Sequence, residues 1–115
     1  MNDEENDDPE IFYITKEEFK RRLALFNTEL LKIAMRYTKL AEKTQSKKEL
    51  TWLLQQIHDI KQDIDQHNEM MKRADIEDGY LLFYIDEEGN VSMKRCISEE
   101  HEKIYGKKGK PTYTA

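Results

Sequence analysis

Hydrophobic residues recur along this chain in two ladders separated by a short polar stretch. The first ladder runs from Phe19 to Leu40 and the second from Leu50 to Ala74, in steps that alternate between three and four residues. Steps averaging about 3.5 residues place each ladder on one side of a helix, which is the spacing of knobs-into-holes packing. Because few residues separate the ladders, the pattern predicts two helices folded back on each other as an antiparallel coiled-coil hairpin.

Polar residues indicate where each long helix begins. Thr15 and Ser46 can each cap a helix start, and a glutamate three residues after each of them can reach back to complete a capping box. The sequence therefore predicts one helix over residues 16–43 and a second over residues 47–78, with Gly79 as a left-handed cap at the end of the second.

The hydrophobic period changes after the second helix. Residues 80–85 and 91–97 have the aromatic, aliphatic and alternating composition of strands, and a Gly-Asn pair between them suits a hairpin loop. A two-stranded hairpin is marginal by itself, so residues 11–14 are a candidate third strand. A short helix is expected over residues 98–105. The predicted fold class is α+β, mainly α: an antiparallel two-helix coiled-coil hairpin, a small antiparallel β-hairpin of two or three strands, and extended charged tails.

Length and charge define the expected domain organisation. At 115 residues the chain suits a single domain, which we place at residues 11–106. Six of the 24 acidic residues lie within residues 1–10, which contain no Lys or Arg, so 18 acidic and 19 basic residues remain elsewhere. We interpret residues 1–10 as an acidic flexible arm and residues 107–115 as a basic extended tail.

The sequence favours an intracellular protein. Its longest apolar run, Tyr80–Ile85, is far shorter than the roughly 20 residues that a membrane-spanning helix needs. No basic-then-apolar signal peptide is recognisable, and the single Cys96 cannot form an internal disulfide. We therefore expect a cytoplasmic location and no membrane partner.

The apolar surface exceeds what two helices can hide from water by packing on each other. Each helix carries large apolar side chains outside its ladder, and one strand is apolar on both faces. The β-hairpin can fold back over this surface, or a partner helix or a second copy can cover it, in the latter case as a four-helix bundle. We favour a protein partner or a homo-oligomer, because monomers rarely expose large apolar patches. The candidate interaction residues are Leu25, Leu31, Met35, Trp52, Leu54, Tyr80, Leu82 and Tyr84.

A histidine interrupts the second ladder. In a hairpin that turns near residue 45, His67 would lie across from Leu23. Three interpretations stay open: a frayed, wet helix end, a polar residue that specifies register or oligomeric state, and a pH switch. At a core position the imidazole needs a hydrogen-bond partner.

Candidate chemistry is sparse. Asp59, Asp63 and His67 follow one another at four-residue steps, which is a spacing that can hold a metal, but the first helix offers no matching ligand motif. Solvated charges explain these residues with fewer assumptions. No nucleophile motif or phosphate-binding glycine loop is present. We therefore predict no catalytic residues, no metal and no cofactor, and hence no enzyme.

Together these features favour a non-enzymatic protein–protein interaction module, acting as an assembly subunit or a small regulator or inhibitor. Its small size and charged tails would also suit a viral or phage accessory component. The alternative is a nucleic-acid-associated accessory protein. The net charge of −5 argues against it, because nucleic-acid-binding domains usually present a basic surface to the phosphates. The residues for that alternative are Lys94, Arg95, Lys107, Lys108 and Lys110.

Overall fold

A computed structural model describes residues 11–106, and helices account for 69% of them, which confirms the α+β, mainly α class. The predicted arm (residues 1–10) and tail (residues 107–115) lie outside the described residues. Every predicted helix and strand is present, including the third strand. In chain order they are β1 (Phe12–Ile14), α1 (Lys16–Lys43), α2 (Lys47–Ile76), β2 (Tyr80–Ile85), β3 (Val91–Cys96) and α3 (Ser98–Tyr105).

The two long helices begin at the predicted caps, but each capping box is only half formed. The Thr15 hydroxyl accepts a hydrogen bond from the Glu18 amide at 3.1 Å, and the Ser46 hydroxyl accepts one from the Glu49 amide at 3.1 Å. The glutamate side chains have other partners. Glu18 binds two arginines of the next turn, and Glu49 accepts a hydrogen bond from the Thr44 hydroxyl.

The described chain divides into two compact units. The sheet unit comprises residues 11–22 and 73–106, which contain the three strands, α3 and one end of each long helix. The hairpin unit is Leu23–Lys72, the remainder of α1 and α2 with the turn between them.

In the sheet unit the strands form an antiparallel sheet in the order β1-β2-β3. Ile14 pairs with Phe83, and Phe83 pairs with Met93, so these three side chains share one face. Phe19 of α1 contacts Phe83 with ring centroids 4.8 Å apart, and both side chains are fully buried. This face of the sheet therefore forms the core of the unit.

Helix α3 packs against β2 and is held there by aromatic and polar contacts. His101 is buried, with its ring centroid 5.1 Å from that of Tyr80 and 4.9 Å from that of Tyr105. The Tyr105 hydroxyl accepts a hydrogen bond from the Phe83 amide at 3.0 Å and donates one to the Ile14 carbonyl at 2.6 Å. Tyr105 thereby joins α3 to both β1 and β2.

In the hairpin unit the core is thin. Its buried hydrophobic residues are Leu23, Leu53 and Ile60, each of which exposes at most 9% of its surface to solvent. Two ring contacts join α1 to α2. The ring centroids of Tyr37 and Trp52 lie 5.8 Å apart. Those of Phe26 and His67 lie 6.1 Å apart. Other ladder residues stay partly accessible, because a two-helix hairpin shields only one side of each helix.

Candidate protein-interaction surfaces

The five candidate interaction residues on the long helices are all well exposed. Leu25, Leu31, Met35, Trp52 and Leu54 keep between 50% and 61% of their surface accessible to solvent. All five belong to the hairpin unit. Within that unit, several large apolar side chains therefore lie on the surface.

These residues divide between two sides of the hairpin unit. Asn27 donates a hydrogen bond to Asn68 at 3.1 Å and marks one side. Leu31 follows Asn27 by one helical turn, and Leu54 precedes Asn68 by two heptads, so both lie on that side. We call this surface the leucine side. It consists of Ala24, Thr28, Leu31, Met35 and Thr38 of α1 and of Leu54 and, one heptad later, Lys61 of α2, all exposed.

The leucine side is more apolar than its composition suggests. The Thr28 hydroxyl donates to the Ala24 carbonyl at 3.1 Å, and the Thr38 hydroxyl donates to the Ala34 carbonyl at 2.8 Å. Both hydroxyls are thus satisfied within their own helix. The threonine methyl groups add to an uncharged stripe that includes Leu31 and Met35. The sequence analysis did not identify this additional ladder on α1, although its four-three spacing from residue 24 to residue 38 is visible in the sequence.

The opposite side of the unit carries different residues. Leu25 lies two positions before Asn27, and Trp52 lies two positions before Leu54, so each is turned roughly 200° around its helix from that residue. We call this surface the tryptophan side. Its apolar members are Leu25, Phe26, Leu40 and Trp52, of which Phe26 is 40% exposed and Leu40 is 50% exposed. Its charged members, all exposed, include Glu29, Lys32, Arg36, Lys48, Asp59 and Asp63, and Lys32 forms an ion pair with Glu29 at 3.4 Å.

His67 is half-buried and hydrogen bonded. Its Nδ1 lies 2.7 Å from Oδ1 of Asn27, whereas the sequence had placed Leu23 opposite it. Because Asn27 uses its amide nitrogen to donate to Asn68, its oxygen must accept, so His67 Nδ1 carries the proton. Burial lowers the pKa of His67, and the nearby carboxylate of Asp63 opposes this shift. A polar contact of this kind between two helices can specify their register, which is one of the interpretations that the sequence left open.

The strand candidates lie in the sheet unit and differ in exposure. Leu82 is fully buried, so its predicted place on an interaction surface is wrong for this conformation. The reason is α3, which packs on β2 and contacts the neighbouring Tyr80 through His101. Tyr84 is half-buried, with its ring 6.4 Å from that of Tyr13 and with Lys94 Nζ 5.6 Å above it. Tyr80 and Tyr84 thus keep only part of their surface for a partner.

Of the residues of the nucleic-acid alternative, the structure describes Lys94 and Arg95, and these two do not share one patch. Lys94 and Arg95 are neighbours on β3 and therefore point to opposite faces of the sheet. Lys94 lies over Tyr84, whereas Arg95 lies 3.5 Å from a carboxylate oxygen of Glu77. Lys107, Lys108 and Lys110 lie outside the described residues, so the role of the basic tail stays a prediction.

The described residues show little chemistry of other kinds. Within residues 11–106, no group of three or more His, Cys, Asp or Glu side chains is arranged to hold a metal ion. Burial raises the pKa of the Cys96 thiol, with Glu100 adding to the effect, so the sulfur stays protonated at neutral pH. None of the helices in this part of the chain combines the length and apolar character needed to cross a membrane.

Comparisons with known proteins add no assignment. The chain matches no protein-family model, and searches of curated proteins and of solved structures find no match. Function is therefore argued from the surfaces described above.

Proposed function

We propose that this protein is a non-enzymatic interaction module, an assembly subunit or a small regulator, that binds another protein through the leucine side of its hairpin unit. The observation that carries the proposal is the uncharged stripe from Ala24 to Thr38, with Leu54 beside it. Its four-three spacing is that of a helix packing against a second helix. An amphipathic helix of the partner is the kind of ligand that fits it.

The energetics favour burial of this side. Leu31, Met35 and Leu54 are each a little more than half exposed. Full burial of such a side chain from a fully exposed state contributes about 1.5–3 kcal/mol, so covering the remaining half contributes roughly 1 kcal/mol for each residue. Because both threonine hydroxyls already bond within α1, covering them leaves no new unsatisfied group.

The test compares two double variants in a pull-down from a native extract. Leu31→Glu with Leu54→Glu places two charges on the leucine side and should abolish capture of the partner. Thr51→Glu with Gln62→Glu adds the same charge at exposed positions on the outer face of α2 and should leave capture unchanged. Circular dichroism checks that both variants stay helical.

Salt concentration separates this proposal from the nucleic-acid alternative. A complex held by apolar contacts persists at high salt, whereas binding to a phosphate backbone weakens steeply as salt rises. Equal capture by both variants, or binding to nucleic acid that disappears at high salt, would contradict the proposal.

A further inference from the structure

A polar contact joins α1 to α2 within the hairpin unit. The imidazole of His67 donates from Nδ1 to Oδ1 of Asn27 at 2.7 Å, and the Asn27 amide donates to Oδ1 of Asn68 at 3.1 Å. The Phe26 ring lies beside the imidazole, with the two centroids 6.1 Å apart. Within residues 23–72, no other side-chain hydrogen bond and no ion pair joins the two helices. In this unit the polar side chains of α1 and α2 are therefore bonded to each other at a single level.

This level lies inside the paired region and not at a frayed helix end. Helix α2 continues beyond His67 to Ile76. Asn27 and His67 are both half-buried, so water reaches them only in part. A polar group in such a place is less stable when its hydrogen-bond partner is taken away.

The apolar ladders alone allow more than one register. On both helices the ladder residues recur every seven residues, so sliding α2 by one heptad, about 10 Å, brings apolar residues opposite apolar residues again. The polar contact does not survive the slide. Depending on its direction, Ile60 or Ala74 would then occupy the level of His67, and neither side chain can form a hydrogen bond with Asn27.

We infer that the contact of Asn27 with His67 and Asn68 fixes the register of α1 against α2 and selects it over the two registers one heptad away. The slide breaks both hydrogen bonds at once, because both partners of Asn27 belong to α2. Two bonds of ordinary net strength favour the native register on the order of tenfold. A polar residue on an otherwise apolar seam has this effect in coiled coils, where it gives one pairing and lowers stability.

The turn acts on the same choice from the other end of the unit. The Ser46 hydroxyl caps α2, and Glu49 accepts a hydrogen bond from Thr44, so a slide also disturbs these contacts. A test of the inference must therefore remove the polar contact and leave the turn intact. The register also sets which part of α1 lies beside Leu54 on the leucine side, but the inference does not depend on what that side binds.

The variant Asn27→Leu with His67→Leu, in the full-length chain, meets this requirement. Nitroxide labels on Thr28→Cys and Thr51→Cys, both exposed, report the register by pulsed electron paramagnetic resonance, with Cys96→Ser removing the native thiol. Without the leucine substitutions the labels should give one distance. The double-leucine variant should add a second distance, because a slide of one heptad moves the labels by about 10 Å along the helix axis. Its urea midpoint should not fall.

Exchange of the two side chains, Asn27→His with His67→Asn, is the matched control, because it keeps an imidazole and an amide at the same level. It should give the original distance alone, and a second distance there would overturn the inference. A single, unchanged distance in the double-leucine variant would also overturn it and assign the register to the turn. Loss of helicity in that variant, measured by circular dichroism, would overturn it as well, because the contact would then be needed to form the hairpin and not to select its register.

Discussion

The variant Tyr105→Phe removes one hydroxyl oxygen and tests the packing of α3 on β2, which buries Leu82. The Tyr105 hydroxyl accepts from the Phe83 amide at 3.0 Å and donates to the Ile14 carbonyl at 2.6 Å. Both strand residues are buried, at 0% and 7% exposure. Each hydrogen bond contributes about 1 kcal/mol net, and a buried donor that loses its acceptor adds a penalty of about 1 kcal/mol or more. The expected loss of stability is therefore about 2–3 kcal/mol.

Urea unfolding followed by circular dichroism measures that loss, and amide hydrogen exchange locates it. The Phe83 amide should exchange faster in the variant, because it loses the oxygen that accepts its hydrogen. Tyr84→Phe is the matched control, since its half-exposed ring packs on Tyr13 and it should change stability by less than about 0.5 kcal/mol. A loss below about 0.5 kcal/mol in Tyr105→Phe, or unchanged exchange at Phe83, would refute the anchoring role of Tyr105.

Three further outcomes follow from the structure. Leu53→Ala should lower the free energy of unfolding by about 2–4 kcal/mol, whereas its exposed neighbour Leu54→Ala should change it little, as urea unfolding would show. Asp86→Ala should destabilise by about 1–2 kcal/mol, because Asp86 Oδ1 accepts from two loop amides, and faster exchange at those amides would report it. Because burial lowers the pKa of His67 below its ordinary value of about 6.5, the unfolded chain binds more protons, so stability should fall as pH drops below about 6.5. The difference in the free energy of unfolding between about pH 8 and about pH 5 should be smaller in His67→Gln than in the wild type. Part of the difference that remains comes from buried His101, whose pKa burial also lowers.

Much of the fold could be predicted because its signals are local. Helix α1 covers Lys16–Lys43 as expected, since the Thr15 cap and the ladder spacing both act within a few residues. Strand β2 covers Tyr80–Ile85 as expected, because the run of aromatic and aliphatic residues that predicts it is also a local signal. Gly79 has the predicted positive φ, at 98°, although α2 already ends three residues earlier, at Ile76. Helix ends depend on fraying and on neighbouring contacts, so they are less well determined by sequence.

The candidate site depended on contacts between distant residues, which sequence spacing does not determine. The partner of His67 turned out to be Asn27, because the register of a hairpin follows from its turn and from packing along both helices. The burial of Leu82 could not be predicted, since α3 had two faces of the sheet on which to pack. The division into a leucine side and a tryptophan side was accessible in principle, because Trp52 and Leu54 are two residues apart on one helix.

The thin core of the hairpin unit links its stability to binding. With Leu23, Leu53 and Ile60 as its buried hydrophobic residues, the unit gains less from its own burial than a compact bundle does. Any partner that binds the folded form alone adds to stability in proportion to the logarithm of its concentration. Binding of a partner to the leucine side would therefore raise the unfolding midpoint, and Leu31→Glu with Leu54→Glu would lose that rise. The thin core and the exposed apolar side are thus linked, because a partner that covers the leucine side would supply burial that the hairpin unit lacks.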